Sequence, residues 1–195
     1  MKKPYHHGNL KEELIAAGIS VLKKEGTGGL RLREVAGLVG VSHASLYRHF
    51  TNKEELLAAV AEQGFRGLIE NVELYRKRAG SNFKSQFIEA GRAYVDFAAS
   101  HKEQFHIMFS GIIPDRKKHP ALALAAEESF GQLVKIVEEC REAGVIPSHR
   151  DRKVHTLAAW SMLHGIATLL IEGQIPGGRS RTRAITRSLL VLLTV

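Results

Sequence analysis

Apolar residues recur along this chain at intervals of three and four, from one end to the other. Leu10, Leu14, Ala17, Gly18, Val21 and Leu22 share one stripe, with Lys11, Glu12, Glu13, Lys23 and Lys24 outside it. That spacing predicts a first helix, with Asn9 as N-cap and Gly26 as the residue that ends it. Leu32, Val35, Ala36 and Val39 follow the i, i+3, i+4, i+7 rule and predict a second, short helix. A third is anchored by Val41, Leu46 and Phe50, with Ser42 as its cap and Gly40 in the turn before it. Asn52 with Glu55 three residues on has the form of a capping box. It opens a long helix striped by Leu57, Val60, Ala61, Gly64, Phe65, Leu68 and Val72, running to about Arg78, which Gly64 and Gly67 are expected to weaken and bend. Helical periodicity returns over 83–100, 102–109, 121–143, 154–172 and 181–194, and residues 26–29, 79–82, 110–120 and 173–178 read as loops. No alternating strand pattern, internal repeat or long linker interrupts it. The pattern predicts an all-α chain of about nine helices.

Two short helices joined by a glycine-containing turn are the pattern of a helix-turn-helix. The expected organisation is a three-helix DNA-binding domain over residues 1–54 and a larger helical domain over 55–195. Charge strengthens the first half of that reading. The chain carries a net +8, and residues 1–53 hold nine basic side chains against four acidic ones, a net of +5. Such an excess suits a polyanionic partner, though it speaks to association rather than fold. Hydrophobic residues make up 44% of the chain, ample for a core. Cys140 is the single cysteine, so no intrachain disulfide can form, and it reads as an ordinary helix residue in a reducing compartment. The N-terminus lacks the apolar segment of a signal peptide, and the apolar run at 189–195 is far too short to cross a bilayer, so the expectation is a soluble, cytoplasmic protein with no membrane partner.

Catalytic chemistry finds little purchase. The glycine-rich run at 26–29 opens no strand-to-helix phosphate loop, and no nucleophile–base pair or paired-acid motif stands out. His6 and His7 are adjacent and cannot converge on one ion; His101 with His106, and His149 with His155, lack the i, i+4 spacing of ligands on one helix face. No metal, cofactor or enzymatic activity is expected. A small all-α enzyme acting on an apolar substrate is the alternative. A ligand-independent, nucleoid-type DNA binder is a third reading, which the large apolar C-terminal half argues against.

Leu32-Arg33-Glu34-Val35-Ala36, Gly40-Val41-Ser42 and Leu46-Tyr47-Arg48-His49-Phe50, followed by Lys53-Glu54-Glu55-Leu56-Leu57 and preceded by Tyr5-His6-His7-Gly8-Asn9-Leu10, closely resemble the TetR family of transcriptional regulators. Trp160-Ser161-Met162-Leu163-His164-Gly165 resembles the Trp–His–Gly signature of one TetR C-terminal subfamily. The resemblance implies that Tyr47, His49 and Lys53 hold the DNA backbone, and that Arg33, His43, Ser45 and Arg48 enter the major groove, beside the cap residue Ser42. An arginine there suits guanine O6 and N7, and Ala44 suits a thymine methyl. It also implies a homodimeric repressor on a palindromic double-stranded operator, released by a small-molecule effector. The sequence departs from the family at Arg31, where Ser or Thr usually caps the first motif helix; arginine cannot accept that bond.

Residues 157–171 are apolar nearly all round, which predicts a buried helix. Its interruptions, Ser161, His164 with Gly165, and Thr168, fall on one stripe, and a buried His164 must find a hydrogen-bond partner. Little chain remains to cover this helix and the next, so Leu157, Ala167, Ile171, Ile185, Leu189 and Leu192 are expected at a dimer interface. The family resemblance further implies an effector pocket, for which the candidate lining is Phe87, Tyr94, Phe105, Met108, Phe109, Phe130, Trp160, Met162 and His164.

Overall fold

The computed structural model describes residues 10–147, 149, 151–175 and 178–194, the side chain of residue 179 excepted. The expected cap Asn9 and the preceding residues 5–8 of the family-like string therefore lie outside the described residues. Among those described the chain is all-α. The helices are α1 (Leu10–Gly29), α2 (Leu32–Val39), α3 (His43–Tyr47), α4 (Lys53–Arg78), α5 (Phe83–Ser100), α6 (Lys102–Phe109), α7 (Pro120–Glu142), α8 (Arg152–Ile171) and α9 (Gly178–Val191), with a single 3-10 turn at Arg116–Lys118.

The helix ends follow local chemistry. Ser42, Asn82 and Asp151 each accept a hydrogen bond from the backbone N–H three residues on, capping α3, α5 and α8. At the start of α4, Asn52 Oδ1 accepts from the Glu55 N–H at 2.9 Å, and the Glu55 carboxylate accepts from the Thr51 N–H at 2.7 Å. The reciprocal bond of this capping box thus falls one residue earlier than the usual pattern. Gly40 ends α2 at φ 77°, and its successor Val41 donates back to the Ala36 carbonyl at 3.0 Å, a Schellman closure that a side-chain-bearing residue would strain. Arg31 makes no side-chain cap for α2, yet its carbonyl accepts from the Glu34 and Val35 N–H groups, so the helix starts cleanly without one.

One expectation changes. Residues 26–29 are not a flexible loop: Gly26 breaks α1 at φ 66°, and a helical turn continues to Gly29. Gly64 and Gly67 do not interrupt α4. A Cβ at Gly64 would lie 2.6 Å from Met108 Sδ and one at Gly67 would lie 3.3 Å from Phe97 Cε2, so both glycines admit close neighbours.

The helices form two compact units. The first comprises Met1–Gly64 and Glu103–Ala123, the second Phe65–Lys102 and Leu124–Val195. In the first unit α1 packs on α2 and α2 on α3 around Leu14, Leu22, Val35, Leu46, Phe50 and Leu56, all nearly inaccessible to solvent. In the second, α5 is the central helix, buried continuously from Ala93 to Ala99 and packed on both α8 and α9. Its contact with α9 is close: a Cβ at Gly91 would come within 2.3 Å of Leu190 Cδ1.

α8 is not buried all round. Ala159, Leu163, Ile166 and Ala167 face the core, whereas Val154 (68% exposed), Leu157 (47%) and Leu169 (46%) do not. It is also long and apolar enough, by length and composition alone, to cross a membrane. Helical periodicity misled here because an apolar residue outside the core looks the same in sequence as one inside it.

Candidate nucleic-acid interface and C-terminal aromatic site

The first unit presents α3 outward. Leu46 is 1% exposed and Phe50 2%, and these two anchors fix which side of the short helix is left for solvent. His43, Ala44, Arg48 and His49 are exposed, Tyr47 is 51% exposed, and Ser45 is half-buried. Two of these side chains form a row with the cap residue Ser42. Ser42 Oγ lies 3.0 Å from Ser45 Oγ, and Arg48 Nη2 donates to Ser45 Oγ at 3.4 Å. A hydroxyl row of this kind restrains an arginine that would otherwise sample many rotamers. Arg33, on α2, is exposed as well.

Lys53 is different. It is only half-exposed, and its ammonium donates to the Thr27 carbonyl in the turn beyond Gly26. The lysine therefore ties the end of α1 to the start of α4. With three donors on the ammonium, this bond leaves capacity for an anion. One position on, Glu54 receives His119 Nε2 at 3.0 Å, so the first turn of α4 is held from two sides within its unit.

The expected pocket residues separate. Phe105, Met108 and Phe109 belong to the first unit, where the two phenylalanine rings lie 4.8 Å apart. The others belong to the second. There Phe130, Trp160, His164 and Tyr94 form a continuous aromatic row drawn from α7, α8 and α5: Phe130 to Trp160 is 5.8 Å between ring centres, Trp160 to His164 is 6.0 Å, and Tyr94 Oη is 2.9 Å from His164 Nδ1. Phe87 is buried in α5. Met162 stands two residues from both Trp160 and His164, about 200° around the helix, and is not part of their row.

Burial sets the protonation of this row. It raises the Tyr94 phenol far above its ordinary value, a hydrogen bond from the Trp160 indole pulling less strongly the other way. Burial likewise lowers His164. Tyr94 thus keeps its proton, and its hydroxyl shares a hydrogen bond with His164 Nδ1 at 2.9 Å. His164 is half-buried rather than enclosed, and Tyr94 supplies a hydrogen-bond partner for it.

Of the residues expected at a subunit contact, Leu157 and Leu192 are strongly exposed, Ile171, Ile185 and Leu189 are half-buried, and Ala167 is fully enclosed in its own unit. Ala167 has no surface to offer.

The sequence reading missed an ion pair. Asp96 on α5 is 9% exposed, receives Arg183 of α9 through Nε at 3.1 Å and Nη2 at 2.9 Å, and accepts from Tyr75 Oη of α4 at 3.0 Å. The signal was an acid inside the apolar run of residues 93–99, which must have a partner.

Comparison with known proteins decides what this architecture is. Residues 14–60 match the model for bacterial regulatory proteins of the tetR family, and residues 87–193 match that for the tetracyclin repressor-like C-terminal domain. The chain belongs to the TetR family. A structure of a protein of unknown function from Rhodococcus sp. RHA1 is similar over 100% of both chains, with 34% identity and a TM-score of 0.85. The tetracycline repressor protein class A from transposon 1721 of Escherichia coli is 36% identical over 90 residues, which is 46% of this chain and 40% of that relative, so the match spans less than half of it. The fold is shared with the regulator FadR from Bacillus subtilis, solved in complex with stearoyl-CoA: TM-score 0.75, 17% identity, covering 93% of this chain and 96% of that one. This TetR-family chain is thus a transcriptional regulator with an N-terminal helix-turn-helix. Nothing in the comparisons supports the small-enzyme alternative.

Proposed function

We propose that the chain is a cytoplasmic, homodimeric repressor that binds a palindromic operator through α3 and is released by a small-molecule effector. The outward presentation of α3 carries the reading. Two deeply buried anchors hold a capped helix that leaves His43, Ala44, Tyr47, Arg48 and His49 exposed and Ser45 half-buried, a surface suited to reading base edges. Arg33, His43, Ala44, Ser45 and Arg48 face the bases in this proposal, while Tyr47, His49 and Lys53 hold phosphates beside the Ser42 cap. The exposed apolar side of α8, together with Ile185, Leu189 and Leu192 of α9, is the surface that a second copy covers. Two copies then set two recognition helices about 34–36 Å apart, one helical turn of DNA. The effector occupies the α5–α7–α8 aromatic row, and lowers operator affinity by its preference for the arrangement that does not fit DNA.

The test is selection of a duplex from a random 30-bp pool with the intact protein, followed by binding to that duplex and to a scrambled one. A palindromic enriched sequence, bound far more tightly than the scrambled duplex at physiological salt, is expected. Equal affinity for the two, with the protein folded and dimeric, overturns the reading.

A further inference from the structure

The aromatic row of the second unit has a definite chemical character. Phe130 is 43% exposed, and Trp160 and His164 are half-buried, so ring surface remains accessible above a Tyr94 that is almost wholly enclosed. The rings are set edge to face: Phe130 and Trp160 are inclined by 72° and Trp160 and His164 by 52°. Tilted rings of this kind receive another flat ring or an aliphatic portion at their faces and edges. Beside them the Tyr94 hydroxyl and His164 Nδ1 lie 2.9 Å apart in a hydrogen bond.

We propose that the α8 flank formed by Trp160 and His164, with Phe130 of α7 and Tyr94 of α5, binds an uncharged molecule with a flat apolar portion. The proposal rests on the ligand-responsive reading above and names the class of effector. An anion entering this row gives up its hydration, a large cost unless a cation replaces it. Two guanidinium groups of the same unit are already turned to carboxylates, Arg183 to Asp96 and Arg76 to Glu139. Burial also holds both His164 and Tyr94 uncharged, the behaviour of surroundings that disfavour charge of either sign. An acyl carboxylate or a phosphate-bearing thioester is therefore the wrong class for this row.

Trp160 is the only tryptophan in the sequence, so its emission reports on this site alone. The intact protein is titrated at pH 7.5 with methyl 4-butylbenzoate and, separately, with 4-butylbenzoate, which share a ring and an alkyl chain and differ in charge. Release of the enriched duplex is followed in parallel. The ester is expected to change Trp160 emission saturably, with affinity at least about tenfold above the carboxylate. Tyr94→Phe, which keeps the ring and the tryptophan, is expected to weaken the ester several-fold while the far-ultraviolet dichroism is retained. Equal or tighter binding of the carboxylate overturns the proposed class even if DNA is released, and leaves ligand-responsive regulation standing. Saturation by the ester with the duplex still bound supports the class and overturns the regulatory reading. No change in Trp160 emission with either compound up to the ester's solubility limit overturns the proposal.

Discussion

Lys53 and Arg48 differ in what surrounds them, and that decides how their loss will register. The Lys53 ammonium serves the Thr27 carbonyl within its own unit, whereas Arg48 is restrained only by a neighbouring hydroxyl. Lys53→Ala should therefore lower stability by about 1–2 kcal/mol, as loss of a charged hydrogen bond does, and weaken binding to all duplexes alike. Arg48→Ala should leave the melting temperature nearly unchanged and relax base preference at one operator position. Denaturation midpoints alongside affinities for a set of single-base operator variants will separate the two. His164 carries a pH signature. Its pKa is lowered in the folded chain by burial, so the unfolded chain binds more protons as the pH falls below about 6.5. The stability contributed by the neutral ring is present above that pH and is lost as pH drops through the folded value. Melting temperatures at pH 7.5 and 5.5 should fall further for the wild type than for His164→Asn, and an equal fall would contradict the assignment.

The helices show why glycine must be read by its neighbours. Gly91 of α5 sits where Leu190 and Leu163 approach, and both leucines are buried, so an added methyl has to displace packed side chains. Overpacking of this kind costs about 1–3 kcal/mol, against a helix-propensity gain of about 1 kcal/mol. Gly131 of α7 is exposed and has no atom within 4 Å of the position a Cβ would take. Thermal melts should show Gly91→Ala destabilised, while Gly131→Ala gains about 0.5–1 kcal/mol from the loss of unfolded-state freedom. At about 2–4 °C per kcal/mol for a chain of this size, the two shifts have opposite sign and are readily resolved.

At the scale of the whole molecule, the exposed side of α8 is the feature a lone chain leaves unexplained. Leu157, Leu169 and Val154 give up solvent only if another surface covers them. Leu157→Glu combined with Leu192→Glu should shift the sedimenting species from dimer to monomer at micromolar concentration and, with it, abolish tight operator binding. A wild-type monomer under those conditions would contradict the proposed interface. Charge is a weaker guide. The net +5 of residues 1–53 is matched by +5 over residues 145–195, with −2 between, so charge alone would not have located the DNA-reading surface. The helix-turn-helix itself was legible from its spacing.

Local physics made much of the chain legible. The limits of α2 and α4, the Ser42 and Asn52 caps and the left-handed Gly40 all follow from contacts within a few residues, and a hydrogen bond to the third residue on needs no distant partner. The outward row of α3 was also readable, because Leu46 and Phe50 recur at helical spacing and fix the opposite side. Distant pairings were not. Nothing in the spacing of Asp96, Tyr75 and Arg183 says that three helices meet there, nor that Lys53 reaches Thr27. Nor could periodicity separate the core side of α8 from its exposed side, since both are apolar. Sequence by itself determined the helices, most of their caps and the helix-turn-helix, since these depend on short-range geometry. Tertiary structure alone decided which aromatics share one row, which glycines admit a neighbour and which apolar face is left uncovered, since those depend on residues that only folding brings together.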